Sequence, residues 1–123
     1  SPNQTIKNLS KLNHESSVLL SAIAGFGNED ELNRVQAFKK GAAVLESCGT
    51  GKLKFLLPED CGIGQMDEAL RAFEECVPKL KKTLLIACGK AAISDGKITS
   101  NEAEILRAIG DSIGTPIPPF VYN

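Results

Sequence analysis

Tryptophan is absent from the 123 residues, aromatic residues make up 5% of them, and methionine, histidine and tyrosine occur once each. With so few large rings the core falls to Leu, Ile, Val and Ala, a mixture that favours packed helices over a β-sandwich. No apolar run approaches the ~18 residues that suggest a membrane span, and no charged-then-apolar leader opens the chain. This predicts a soluble domain with no direct membrane span. Charge of one sign is missing as well. The 14 basic and 15 acidic residues leave a formal net charge of -1, too weak a field to gather DNA, RNA or anionic lipid. Nucleic acid is therefore not an expected partner. Cys48, Cys61, Cys76 and Cys88 form none of the short CxxC pairs used by zinc and redox sites, which predicts free thiols and a reducing compartment.

The single histidine excludes more. His14-Glu15-Ser16-Ser17-Val18 comes close to the HExxH zinc helix, but Val18 stands where the second imidazole belongs and no other histidine can replace it. His14 is expected as an exposed polar residue. Gly49-Thr50-Gly51-Lys52 fails as a phosphate loop, because Glu46 replaces the first glycine and Leu53 the Mg-binding hydroxyl. Cys48 or Cys61 as a nucleophile lacks a base placed by sequence. No catalytic residue and no cofactor is assigned to the chain itself.

What is present reads as helix after helix, in one domain over 1–123. Apolar residues cluster over 12–23 and end at Gly25 and Gly27, giving a first helix. Asn28 with Glu31 suggests a capping box opening a second, which the near-3.6 spacing of Leu32, Val35, Phe38, Ala42 and Leu45 carries to about Ser47. Glycines and Pro58 break the pattern over 48–64, where a helical turn at 52–57 is expected to tuck Phe55 or Leu56 into the core. A third helix spans 66–77, with Asp67 and Glu68 suited to its positive amino end. Pro78 then opens a fourth over 79–94, whose wide apolar stripe marks it as the central, most buried element. Thr99 with Glu102 forms a capping box for a fifth helix, which Gly114 and Pro116 stop. The tail 115–123 must be extended, since Pro116, Pro118 and Pro119 cannot continue a helix. Its Ile117, Phe120 and Tyr122 either close the core or offer a docking surface.

The segment 95–102 (DGKITSNE) matches the second half of a calcium-binding EF-hand loop, with Asp95, Gly96 for the sharp turn and Glu102 as the last ligand position. Aligned on Glu102, the first two ligand positions fall on Ala91 and Ile93, whose aliphatic side chains cannot coordinate a hard cation. Asp95 and Glu102 remain the only metal candidates. The same letters are explained structurally: Asp95 bonds turn amides, Gly96 supplies positive φ, and Thr99 and Glu102 cap the following helix.

The run LLIACGKAAISDGKITSNEAEILRAIGDSIGTPIPPF, at 84–120, resembles the tellurite-resistance TerB-like helical domains: an apolar helix, Asp-Gly, then a helix opened by Thr-x-x-Glu. Its Glu-x-Glu-x-Leu-Arg-Ala at 102–108 and Pro-Ile-Pro-Pro at 116–119 are similar to the C-terminal tail domain of bacterial membrane zinc metallopeptidases of the HtpX and CAAX-protease type. The earlier stretches SAIAGFGNEDELNRVQAFKKGAAVLE and DEALRAFEECVPKLKK are similar to the earlier helices of that domain. The resemblance implies an all-α TerB-like bundle of about five to seven helices. It implies a non-catalytic accessory or regulatory domain on the cytoplasmic face of a membrane zinc metalloendopeptidase, with the HExxH helix, the zinc and the membrane spans upstream. The start at Ser1 without an initiator Met fits either a piece of such a longer protein or removal of Met before Ser. The implied partners are the parent peptidase domain, another protein, or a second copy. The alternative is a stand-alone TerB-like tellurite or stress-response protein that senses a metal.

Overall fold

The computed structural model describes residues 5–26, 28–93 and 96–117. These form five α-helices: α1 (Asn13–Gly25), α2 (Glu31–Ser47), α3 (Ile63–Glu74), α4 (Pro78–Ala92) and α5 (Ser100–Ser112). Single 3-10 turns lie at Leu9–Lys11 and Pro58–Asp60, and no strand occurs among the described residues. The fold class is all-α, as expected, and no described helix is long and apolar enough to cross a membrane.

The most buried element is α1, not α4. Helices α2, α3 and α4 all pack on α1, and its buried residues include Ser16, Ser17 and Ser21 beside Val18, Leu19, Leu20 and Ile23. Three serines on a buried helix weaken its apolar signal, while α4 buries one face through Leu84, Ala87, Cys88, Ala91 and Ala92. Helices α2 and α4 cross closely because Gly41 carries no side chain. A Cβ there would lie 2.7 Å from the Ala87 carbonyl oxygen and 3.1 Å from the Ala91 Cβ.

Several boundaries differ from those expected. Helix α2 is capped by Asp30, whose carboxylate accepts from the Leu32 N–H at 3.4 Å, and not by Asn28. Asn28 instead donates its side-chain amide to the Ala24 carbonyl, 2.9 Å away, and so closes the end of α1. Helix α3 begins at Ile63, before its apolar stripe, so Asp67 and Glu68 fall beyond its first turn, and Asp67 pairs with Arg71 at 3.1 Å. It ends at Glu74 because the next residues bind the N-terminal segment. The Ile6 N–H donates to the Glu75 carbonyl at 3.1 Å, and the Val77 N–H to the Ile6 carbonyl at 3.0 Å. Cys76 therefore lies in a bridge with Ile6 and outside the helix.

The helical turn expected over 52–57 does not form. That stretch is extended, the turn comes at Pro58–Asp60, and the buried residue is Leu53, with Phe55 and Leu56 half-buried against the core. Helix α5 ends as its glycine and proline require. Gly114 has φ +78°, its N–H donates to the Asp111 carbonyl at 3.2 Å, and the Thr115 N–H reaches back to the Gly110 carbonyl at 2.8 Å. This pair of bonds is a Schellman motif. Residues 115–117 are non-helical, and the rest of the tail lies outside the described residues.

Candidate functional site

The turn before α5 is built as a cap. Thr99 Oγ1 accepts from the Glu102 N–H at 3.1 Å, and the Glu102 carboxylate accepts from the Thr99 N–H at 2.8 Å, a complete capping box. Gly96 adopts φ +82° and donates its N–H to the Ile93 carbonyl at 3.0 Å, closing α4. Asp95 lies outside the described residues. Ala91, where an EF-hand loop would begin, is fully buried inside α4. Among the described residues no group of three His, Cys, Asp or Glu side chains could hold a metal ion. Among the described residues zinc finds no donor set around His14, which is exposed with Val18 buried one turn later. Ile117 packs on the core, 3.0 Å from where a Cβ on Gly110 would stand, whereas Phe120 and Tyr122 lie outside the described residues.

The four thiols are free. Cys48 is exposed, and the other three are buried. Burial pushes the Cys88 thiol up to about 12 and the Cys76 thiol up to about 11, the latter against the opposing pull of Lys81. Cys61 is raised chiefly by burial and further by the carboxylates of Asp60 and Glu59. A raised thiol stays protonated at neutral pH, which is the reverse of what a nucleophile needs.

One concave feature of the surface lies where α1, the start of α2, the extended segment and α3 converge, and a second, of about 330 Å³, lies between α2 and residues 52–55. In the first, Ala22, Phe26, Arg34, Leu56, Pro58 and Met66 are among the residues lining a groove of about 290 Å³. Pockets for drug-sized ligands run to roughly 300–1,000 Å³, so this one stands at the small end of that range. Arg34 shapes one end. Its Nη1 donates to the carbonyl oxygens of Asn28 at 3.2 Å and Glu29 at 2.6 Å, while its Nε is buried without a protein partner. The guanidinium thus holds the α1–α2 connection in place, and the aliphatic stem covers Gly25.

The groove wall is held by residues that the sequence reading passed over. Asn13, Ser17 and Ser21 recur every four residues and so form a polar line along one face of α1. The Asn13 side-chain amide donates to the carbonyls of Thr50 and Lys52 at 3.0 and 2.8 Å. Ser17 Oγ accepts from the Lys54 N–H at 3.0 Å, and Ser21 Oγ from the Leu56 N–H at 2.9 Å. From the other side the Glu46 carboxylate accepts from the Leu53 N–H at 2.7 Å. An extended segment with no neighbouring strand leaves its backbone groups orphaned, and here side chains satisfy them. The signal was visible as N-x-x-x-S-x-x-x-S along α1. Set beside known proteins, the chain matches no family model, no curated protein and no solved structure.

Proposed function

We propose that this chain is a non-catalytic accessory or regulatory interaction domain of a membrane-bound zinc metalloendopeptidase, facing the cytoplasm, with the zinc and the HExxH helix in an upstream peptidase domain. The kind of parent rests on the resemblance of residues 84–120 to the TerB-like tail domain. The observation that carries the interaction role is the open groove, whose lining is largely apolar and includes the exposed Phe26. Contiguous apolar surface of this sort marks a place where another molecule binds.

The coding sequence upstream of Ser1 tests the parent. It is expected to contain HExxH and apolar spans, and a parent lacking both would overturn the assignment. Removing the domain from that parent should leave hydrolysis of a small unstructured peptide intact and impair processing of a folded substrate. Loss of small-peptide hydrolysis in an otherwise folded protease would instead make the domain part of the catalytic unit.

A further inference from the structure

The groove carries a second property, its charge. The three stretches that supply most of its lining, 25–34, 55–61 and 66–68, hold the exposed carboxylates of Glu29, Asp30, Glu31, Glu59, Asp60, Asp67 and Glu68, none of them itself a lining residue. The upward push of Asp60 and Glu59 on the Cys61 thiol, itself a lining residue, places their field at the groove wall. The cations in or beside those stretches are Arg34, which two backbone carbonyls already engage, Lys54, and Arg71, which pairs with Asp67. The chain as a whole is nearly neutral, with 14 basic against 15 acidic residues, so this concentration of one sign is local. The same stretches, together with Ile63, carry four of the five exposed large hydrophobic residues among those described: Phe26, Leu32, Leu57 and Ile63.

We infer that the groove binds a cationic amphipathic polypeptide segment, whose apolar side chains enter between Phe26, Leu56 and Met66 and whose Lys or Arg side chains meet the surrounding carboxylates. The inference deepens the interaction-domain reading and does not depend on the peptidase parent. Charge complementarity chooses the occupant. An anionic lipid surface or an acidic peptide would be repelled by the same carboxylates.

The probe is a synthetic amphipathic leucine–lysine helix, titrated into the whole chain and followed by calorimetry, beside a leucine–glutamate helix of identical pattern and vesicles of anionic phospholipid. Binding of the lysine peptide alone is expected, weakening as salt is raised. The double substitution Glu59→Lys with Asp60→Lys should weaken it about tenfold. Glu104→Lys with Asp111→Lys, the same charge change on exposed positions of α5, should leave it unchanged. Ile63→Ser, at a residue 88% exposed, should weaken binding without altering the helical circular dichroism. Equal binding of the glutamate peptide, equal effects of the two charge reversals, or binding to the vesicles instead would overturn the inference. Self-association of the chain that excludes the peptide would overturn it too, by making a second copy the occupant. None of these outcomes bears on whether HExxH lies upstream, so the two proposals fail separately.

Discussion

Helix α2 meets α4 backbone to backbone, through Gly41 against Ala87 and Ala91, whereas α1 meets the extended segment through side-chain oxygens, with Asn13, Ser17 and Ser21 bonding its amides and carbonyls. Both contacts seat one piece of main chain against another. At the α2–α4 crossing the side chain is removed, the helices close, and no space is left. At α1 the polar side chains hold a segment that has no strand beside it, and beyond Leu56 the chain turns at Pro58–Asp60. That corner stays open as the groove. Rigidity and access are therefore divided between two sides of one small bundle, and the carboxylates of Glu59 and Asp60 lie on the accessible side.

The closed side should be the more easily broken. Gly41→Ala gains about 1 kcal/mol of helix propensity, but its Cβ would stand 2.7 Å from a carbonyl oxygen of a neighbouring helix. Overpacking of that kind costs about 1–3 kcal/mol. The clash wins, and Gly41→Leu should lose about 3 kcal/mol or more in urea unfolding. A leucine variant as stable as the parent would show that α2 and α4 separate without penalty, and the contrast between the two sides would vanish.

The clamp side predicts a smaller loss with an internal control one residue away. Ser17→Ala leaves the Lys54 N–H without its acceptor and should cost about 1–2 kcal/mol, with faster hydrogen exchange at that amide. Ser16 is equally buried, yet its hydroxyl has no partner. Ser16→Ala should therefore be neutral or stabilising, since alanine is the better helix former and the lost hydroxyl was already dehydrated. Equal losses at both serines would mean that packing, and not the clamp, explains their burial.

These two sides also differ in how far the sequence disclosed them. The apolar spacings of α2 and α4 and the Thr99–Glu102 pair announce their helices, because periodicity and caps are local signals. The turn expected at 52–57 was wrong for the opposite reason. What extends that segment is a set of bonds from Asn13, Ser17, Ser21 and Glu46, and all but Glu46 are some 35 residues away in the chain. Asn28 misled likewise. Its amide serves the preceding helix, and Asp30 two residues later takes the capping position. The groove could not be read at all before the fold, since its lining comes from α1, α2, α3 and the segment between α2 and α3.

The capping box at α5 belongs to neither side, and that makes it the finest test of their independence. Thr99→Ala removes one of the two reciprocal bonds and should cost about 1 kcal/mol of stability. It should leave peptide binding at the groove unchanged, because Thr99 is exposed and α5 contributes no residue to the lining. Thr99→Ser, which keeps the acceptor oxygen, should recover most of the loss. If the alanine variant weakened binding in proportion to stability, the groove would be set by the stability of the whole bundle, and the clamp on α1 would not by itself determine its shape.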